Sequence, residues 1–551
     1  MYKFTAKLTY RTTGNYKTVI VDENNDFTLE TKVTENGVQC ILHPKTKMYL
    51  KDFRLETKKV MTSDEWFFVN GFQSWSTSPE VRRSDMLKGI TPLAKISGFT
   101  THIAAMSGDA LIADDYRSSG KFHSFTYTYF RRGENIEFFG SMSERQGYTI
   151  FSVDSSKDAF TIRRDVEGVE TDSDYELMNV RFISGKYDDV FDDYFASLNL
   201  RKPKIKHLSG YTSWYNYFQK IDENIIIRDL NGLDRVKDSV SIFQIDDGYE
   251  TYVGDWLAVD EKKFPKGMKY CADEIHKKGY LAGIWIAPFS AQRVSRVVKE
   301  HPDWLIKDEK GANEWGTFAW NGSYTLDMYN EGAREYIRNF FNVILNDWGY
   351  DMVKLDFLYS QAIHPRNGKS RGQIMCEAMD FLRECVGEEK LILGCGVPLG
   401  PAFGVVDACR ITCDVDLKYS GKFYNKLSLN RELPSAQNSM NNTIFRRHLN
   451  QRVFISDPDV FFLRKNNLTF TDEQKMILAK VNNLFGDVLF ISDNAGDYGE
   501  RECQLVREFF AEKDVKIKSA EYINGIMSVV YIDNGEELTF RFNMPEGKII
   551  G

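Results

Sequence analysis

The sequence predicts a multidomain α/β protein: an N-terminal antiparallel β-sandwich, a central (β/α)8 TIM barrel and a small C-terminal β-domain. Three observations predict it. The chain has 551 residues, more than one core usually organises, so two or three domains are expected. Up to residue 203 the apolar residues fall in short β-branched or aromatic runs broken by turn residues. From Tyr211 onward, short apolar runs alternate with helical periods, the pattern of a parallel sheet covered by helices.

The N-terminal strands are read in "KTVIVDE", "VQCILH", "ALIADDY", "SFTYTYFRR", "NIEFFGSMS" and "AFTIRRDV". The first helical period is "DDVFDDYFASL". "LRKPKIKHLSG" is basic, contains a proline and lacks periodicity, so it reads as a linker. Eight strand candidates then follow: "GYTSWYNYF", "VSIFQIDDG", "YLAGIWIAPF", "YDMVKLDFLY", "KLILGCG", "DACRITCDV", "RVFISDPDV" and "DVLFISDNAG". Helical segments such as "GMKYCADEIHKKG" and "GQIMCEAMDFLRECVG" separate them. Eight is the count of a (β/α)8 barrel. A doubly wound open sheet fits less well, because no glycine-rich phosphate loop follows the first strand. The last stretch returns to strand alternation. The expected domains are 1–203, 204–512 and 513–551.

Composition excludes some functions. Hydrophobic content of 42% and charged content of 27% describe a soluble globular chain. Net charge is −8 with no basic stripe, which argues against nucleic acid as a partner. No apolar stretch is long enough for a signal peptide or a membrane span, so the expected location is cytoplasmic, with no membrane partner. The eight cysteines form no CxxC pair and the eight histidines no HxH or HExxH, so no catalytic zinc, and no other cofactor, is expected. Aromatic content of 14% suits both a sugar-binding enzyme and a large β-rich core.

A barrel carries its chemistry at the C-terminal ends of its strands. There the sequence puts Trp214, Asp246, Asp247, Trp285, Asp356, Cys395, Arg410, Asp414, Asp457 and Asp459. A single aspartate at a strand end is often a turn or cap residue. Lys354 and Asp356 are different: two apart in a strand, they share a face, and a charge there is costly without a purpose. Arg410 and Asp414, four apart, share a face in the same way if the strand extends through both. Two carboxylates on different strand ends, each near a cation, are what glycoside hydrolysis requires: one attacks the anomeric carbon or activates water, the other protonates the leaving oxygen. Lys354 would keep Asp356 ionised. Asp246 and Asp247 could accept hydrogen bonds from sugar hydroxyls. The competing reading of such a rim is a Mg²⁺ site.

"FQIDDGYETYVGDW", "GIWIAPF", "VKLDFLY", "LGCGVPLGPAFGVVDACRITCDV" and, ahead of the barrel, "NGFQSWS" resemble the α-galactosidases of glycoside hydrolase family 36, in particular the short bacterial type. The resemblance implies a retaining, metal-independent enzyme with Asp356 as nucleophile and Asp414 as general acid/base. It implies that Asp246 and Asp247 bind O4 and O6 of a galactosyl unit, that Lys354 contacts the O3/O4 side and Arg410 the O2 side. It further implies that Trp214 and Trp285 wall the pocket, that Trp75 reaches over from the sandwich, and that Cys395 lies near the 2-position. Longer members carry "WDMNR" at the nucleophile strand where this chain has "LDFLY", so their acceptor contacts do not transfer. The expected activity is exo-hydrolysis of terminal α-D-galactosyl residues from melibiose- or raffinose-type oligosaccharides. An α-N-acetylgalactosaminidase, a transglycosylase using the same carboxylates, and a sugar-binding protein with a dead site are the alternatives. The last requires loss of Asp356 or Asp414, and both are present.

Overall fold

The computed structural model describes residues 2–87, 112, 118–308, 310–421 and 434–550. Apart from Ile112, the expected strand "ALIADDY" lies outside the described residues.

Among the described residues the N-terminal region holds two seven-stranded antiparallel sheets. Their strands alternate buried and more accessible residues, as in Gly37–Pro44 and Met48–Lys58, so each sheet has one face to bury. Phenylalanines fill the space between the sheets. Phe160 of one sheet packs on Phe130 and Phe139 of the other, with ring centroids 5.6 and 4.8 Å apart. The run "SFTYTYFRR" serves both sheets. It divides into Lys121–Phe125 and Tyr127–Arg132, which belong to different sheets, and Thr126 makes the break at φ 68°. "KTVIVDE" contributes only a short strand, Lys17–Val19. The helix Tyr187–Ser197 follows, with Val190, Phe191, Tyr194 and Phe195 buried.

Nine parallel strand segments then form one sheet. Leu208–Thr212 pairs with Ile242–Ile245 on one side and Val488–Ile491 on the other. Leu281–Ile286, Met352–Leu355, Leu391–Gly394, Ala408–Arg410 and Ile455–Asp457 continue in order. The short segment Val460–Phe461 pairs with Val488–Ile491. The sheet therefore curls until the run 455–461 touches both neighbours. The switch falls at Pro458 and Asp459. Proline has no N–H for the ladder, and Asp459 adopts φ 72°. The strands are buried along their whole length, as between two covered faces. Two of the helices between them begin on capping boxes: Ser370 and Thr471 each pair with a glutamine three residues on. The basic stretch after Leu200 is followed at once by the first parallel strand, so "LSG" belongs to that strand and not to a linker.

After the helix Glu500–Phe510, Val515–Ile523, Ile526–Asp533, Glu536–Asn543 and Lys548–Ile549 make a four-stranded antiparallel sheet. Asn524-Gly525 and Asn534-Gly535 close its first two hairpins. All four residues have positive φ, which a two-residue I′ turn needs and which Asn-Gly accepts at least cost. Among the described residues no helix is long and apolar enough to cross a membrane.

Candidate active site

A cavity of about 330 Å³ opens at the C-terminal ends of the parallel strands. Of the ten residues expected to form the site, eight line it: Asp356, Asp414, Asp246, Asp247, Lys354, Trp75, Trp214 and Trp285. Cys395 and Arg410 stand behind the wall, each bonded to a residue that does line it.

Asp356 directly follows the strand Met352–Leu355, and its N–H extends the ladder by one bond to Ile286 O at 2.9 Å. Its carboxylate accepts from Trp285 Nε1 at 3.0 Å and from the Phe357 backbone N–H at 2.9 Å. Burial pushes its pKa up; Lys354, Trp285, the Phe357 amide and Cys395 oppose this. Phe357 holds φ 54°, so the chain turns sharply just after the carboxylate and keeps it at the cavity floor.

Lys354 does not bond Asp356. Its Nζ donates to Asp246 Oδ2 at 2.8 Å, and both side chains are buried. Its ion pair is thus with Asp246, and its expected help in keeping Asp356 ionised acts through space, where its charge opposes the upward shift of that carboxyl. Burial lowers the ammonium's proton affinity, but Asp246, together with Cys395 and Asp356, offsets this and the net shift is upward.

The strand of Arg410 ends at Arg410 itself. Arg410 and Asp414 therefore do not share the face of one extended strand; Asp414 sits in the irregular segment beyond it, with its side chain 48% exposed. They still meet, Arg410 Nη1 lying 3.2 Å from Asp414 Oδ1. The same guanidinium binds Asp457 at 3.0 Å and Asp459 at 2.9 Å. Asp457 and Asp459 are thus the counter-ions of Arg410. Asp459 also accepts from the Val415 N–H at 2.9 Å and from the Tyr215 hydroxyl. It fixes the backbone next to Asp414.

Asp247 accepts from Gln219 Nε2 at 3.1 and 3.0 Å and from Trp320 Nε1 at 2.8 Å. Its pKa is raised, first by burial and also by the charge of Asp246, while hydrogen bonds from Glu250, Trp320 and Gln219 oppose this; Glu250 is raised well above its ordinary value by burial and by Asp247, and is the one that keeps the proton. Trp320, Phe318 and Thr317 were not among the sequence candidates. They come from the insertion between Leu281–Ile286 and the helix Glu331–Asn342, where a three-stranded antiparallel sheet carries a loop over the cavity. Trp320 packs against Trp285 and Phe357, with centroids 5.8 and 4.9 Å apart, and adopts φ 56°. The one sequence signal was "AWNG", a turn-forming pair after a tryptophan.

Trp75 enters from the N-terminal region. Its ring meets the edges of Phe357 and Tyr359 at 5.2 and 5.9 Å, and its Nε1 donates to Cys395 Sγ at 3.3 Å. Cys395 is buried with its thiol pushed well up in pKa, so it is a neutral hydrogen-bonding group. Among the described residues no group of three or more His, Cys, Asp or Glu side chains is arranged to hold a metal ion.

Comparison with known proteins bears on this geometry. Residues 215–375 match the melibiase family model. The chain resembles glycoside hydrolase family 36. It is 35% identical over 124 residues to the α-galactosidase Mel36A of Lactobacillus acidophilus, covering 21% of this chain and 16% of that protein. It is also 32% identical over 124 residues to the A type blood α-D-galactosamine galactosaminidase of Flavonifractor plautii, covering 21% of this chain and 11% of that protein. The matches thus span less than a fifth of these curated relatives. Two solved structures share the fold over most of the chain. TtGalA, an α-galactosidase from Thermus thermophilus in complex with p-nitrophenyl α-D-galactopyranoside, superposes with TM-score 0.72 at 24% identity, covering 92% of this chain and 95% of that one. The family 36 α-galactosidase AgaA from Geobacillus stearothermophilus gives 0.62 at 11% identity, covering 98% and 81%.

Proposed function

We propose that the chain is a retaining, exo-acting α-galactosidase that works by double displacement. The observation that carries the reading is the meeting of Asp356, Asp414, Asp246, Asp247 and Lys354 around one cavity at the strand ends. Asp356 attacks the anomeric carbon while Asp414 protonates the departing oxygen; Asp414 then takes a proton from the water that releases the sugar. Their settings suit the division of labour. Asp356 is buried and accepts two N–H donors, which favour the anion once a sugar excludes water. Asp414 is half exposed at the mouth, where a leaving group departs and water enters.

Asp246 and Asp247 hold the galactosyl hydroxyls with Lys354, and Trp75, Trp214, Trp285 and Trp320 wall the ring. Arg410 acts through Asp414, since three carboxylates already occupy its guanidinium. Oligosaccharides of the melibiose and raffinose type are the substrate class we assign, in keeping with the nitrophenyl galactoside and stachyose bound by the Thermus neighbour. The parallel sheet, with its eighth position shared by the two pieces of the run 455–461, supports the (β/α)8 reading. The domain limits at 203 and 512 fall just before its first strand and just after its last helix. All eight cysteines are free, which suits a reducing, cytoplasmic setting.

The test is turnover of aryl α-galactoside against aryl α-N-acetylgalactosaminide. Preference for the galactoside supports the proposal; preference for the N-acetyl substrate assigns the alternative, and turnover of neither overturns it.

A further inference from the structure

Trp75 belongs by sequence to the N-terminal sheets, between strands Trp66–Phe68 and Glu80–Val81. The stretch that carries it, 70–78, has no helix or strand of its own, yet it is buried almost throughout. Its backbone polar groups need partners. The first residue finds them in the N-terminal sheets: Asn70 N–H donates to Ser124 Oγ at 2.8 Å, Asn70 Nδ2 to Phe125 O at 2.9 Å, and Phe125 N–H to Asn70 O at 2.9 Å.

From Gly71 onward many of the partners lie in the parallel-sheet region. Arg446 Nη2 reaches Gly71 O at 3.4 Å and Gln73 O at 3.0 Å, and its Nη1 reaches Ser74 O at 2.6 Å. Asn442 brackets the other side of Trp75: its Nδ2 donates to Ser76 O at 2.9 Å and its Oδ1 accepts from Ser78 N–H at 2.8 Å. Asn438 and Thr77 exchange side-chain hydrogen bonds at 2.9 and 3.1 Å. Ser74 N–H donates to Val397 O at 2.9 Å, two residues past Cys395. Asn438, Asn442 and Arg446 are spaced by four. They form one face of the helix Ala436–Phe445 and its C-cap. Arg446 also binds Ile411 O at 2.7 Å, on the segment that leads to Asp414.

We infer that Asn442 and Arg446 are positioning residues for Trp75: the helix reads the backbone on both sides of the tryptophan and sets where its indole stands in the sugar site. Side chains that bind carbonyls and amides fix a path of the chain whatever the side chains along it, and Trp75 is the residue on that path that faces the cavity. Cys395 then fixes the far end of the indole. The inference rests on the proposed reading of Trp75 as a wall of the sugar site.

A double-mutant cycle tests it. kcat and KM are measured with nitrophenyl α-galactoside for the full-length wild type, Trp75→Ala, Asn442→Ala and the double variant. Asn438→Ala, at a half-exposed helix position, gives a second cycle should Asn442→Ala fail to fold. The expected result is a rise in KM and a loss of about tenfold or more in kcat/KM for Asn442→Ala, and a smaller loss in the same direction for Asn438→Ala. In the Trp75→Ala background the same changes should cost less than about twofold, because coupled residues do not add. Equal losses in both backgrounds overturn the inference while leaving Trp75 in the site. A Trp75→Ala variant with wild-type kinetics overturns the reading of Trp75 and the inference with it.

Discussion

Lys354 Nζ donates to Asp246 Oδ2 at 2.8 Å across the strand ends, and not to Asp356, its neighbour two residues along the same strand. One ammonium thus neutralises Asp246, which we propose grips the sugar, and also lowers the proton affinity of Asp356, the proposed nucleophile. Lys354→Met removes one partner of a buried pair, which destabilises by about 3–5 kcal/mol, so the thermal midpoint should fall. It also removes a cation that opposes the upward shift of Asp356. A nucleophile must be ionised, so kcat/KM rises with pH through its pKa. Without Lys354 that pKa rises further, and the acid limb of the profile should move to higher pH. An unmoved limb contradicts the account.

Asp459 gives a stability test. Burial pushes its pKa up to about 6, against Arg410 and the Tyr215 hydroxyl. The folded state therefore holds this proton more tightly than the unfolded chain, where the ordinary value is 3.8. Such a group contributes stability that is fully present below the unfolded value and lost as pH rises through the folded one. The loss for this group is on the order of 3 kcal/mol. Between pH 4 and pH 7.5 (roughly the window these values define), the wild type should lose thermal stability relative to Asp459→Asn. Parallel curves contradict this.

Trp320 stands in a left-handed backbone conformation that costs a residue with a side chain roughly 1–2 kcal/mol. Trp320→Gly releases that strain while removing the indole, so the thermal midpoint should change little. KM should rise severalfold, because Asp247 loses an N–H donor and the cavity loses a wall. Trp320→Phe keeps a ring but not the donor and should fall between the two. Unchanged KM in both removes Trp320 from the site.

The roles proposed for Asp356 and Asp414 can be told apart by leaving group. Asp356→Ala should abolish turnover of every substrate. Asp414→Ala should retain cleavage of an activated nitrophenyl α-galactoside far better than of melibiose, since general acid help is worth about 10²–10⁴-fold and a good leaving group needs little of it. Azide should accelerate the second step and yield α-galactosyl azide, because it displaces Asp356 from the β-linked intermediate. Equal losses on both substrates with no azide product would take the role from Asp414.

What the sequence made legible follows from periodicity. Lys354 and Asp356 stood out because a charge at every second position of an apolar run cannot be accidental on a buried face. Asp246, Asp247 and Trp285 stood out because they fall at the C-terminal ends of their apolar runs. The partners were not legible. That Lys354 would choose Asp246 depends on how adjacent strands are staggered, which no single run encodes. The expected shared face of Arg410 and Asp414 failed because the strand stops at Arg410, and the sequence "RITCD" carries no breaker to say so. Trp320 escaped because its loop has neither a helical nor a strand period. The hairpins Asn524-Gly525 and Asn534-Gly535 illustrate the opposite case, since their geometry is local and written in two residues.

The central claim is that Asp356 attacks the sugar directly. Retaining sites hold their carboxylates about 5–5.5 Å apart and inverting ones roughly 6.5–9.5 Å, and the two differ in the anomer they release. Proton NMR of wild-type enzyme acting on nitrophenyl α-galactoside, read in the first moments before mutarotation, decides between them. The account predicts α-galactose as the first-formed sugar. β-Galactose appearing first would contradict it.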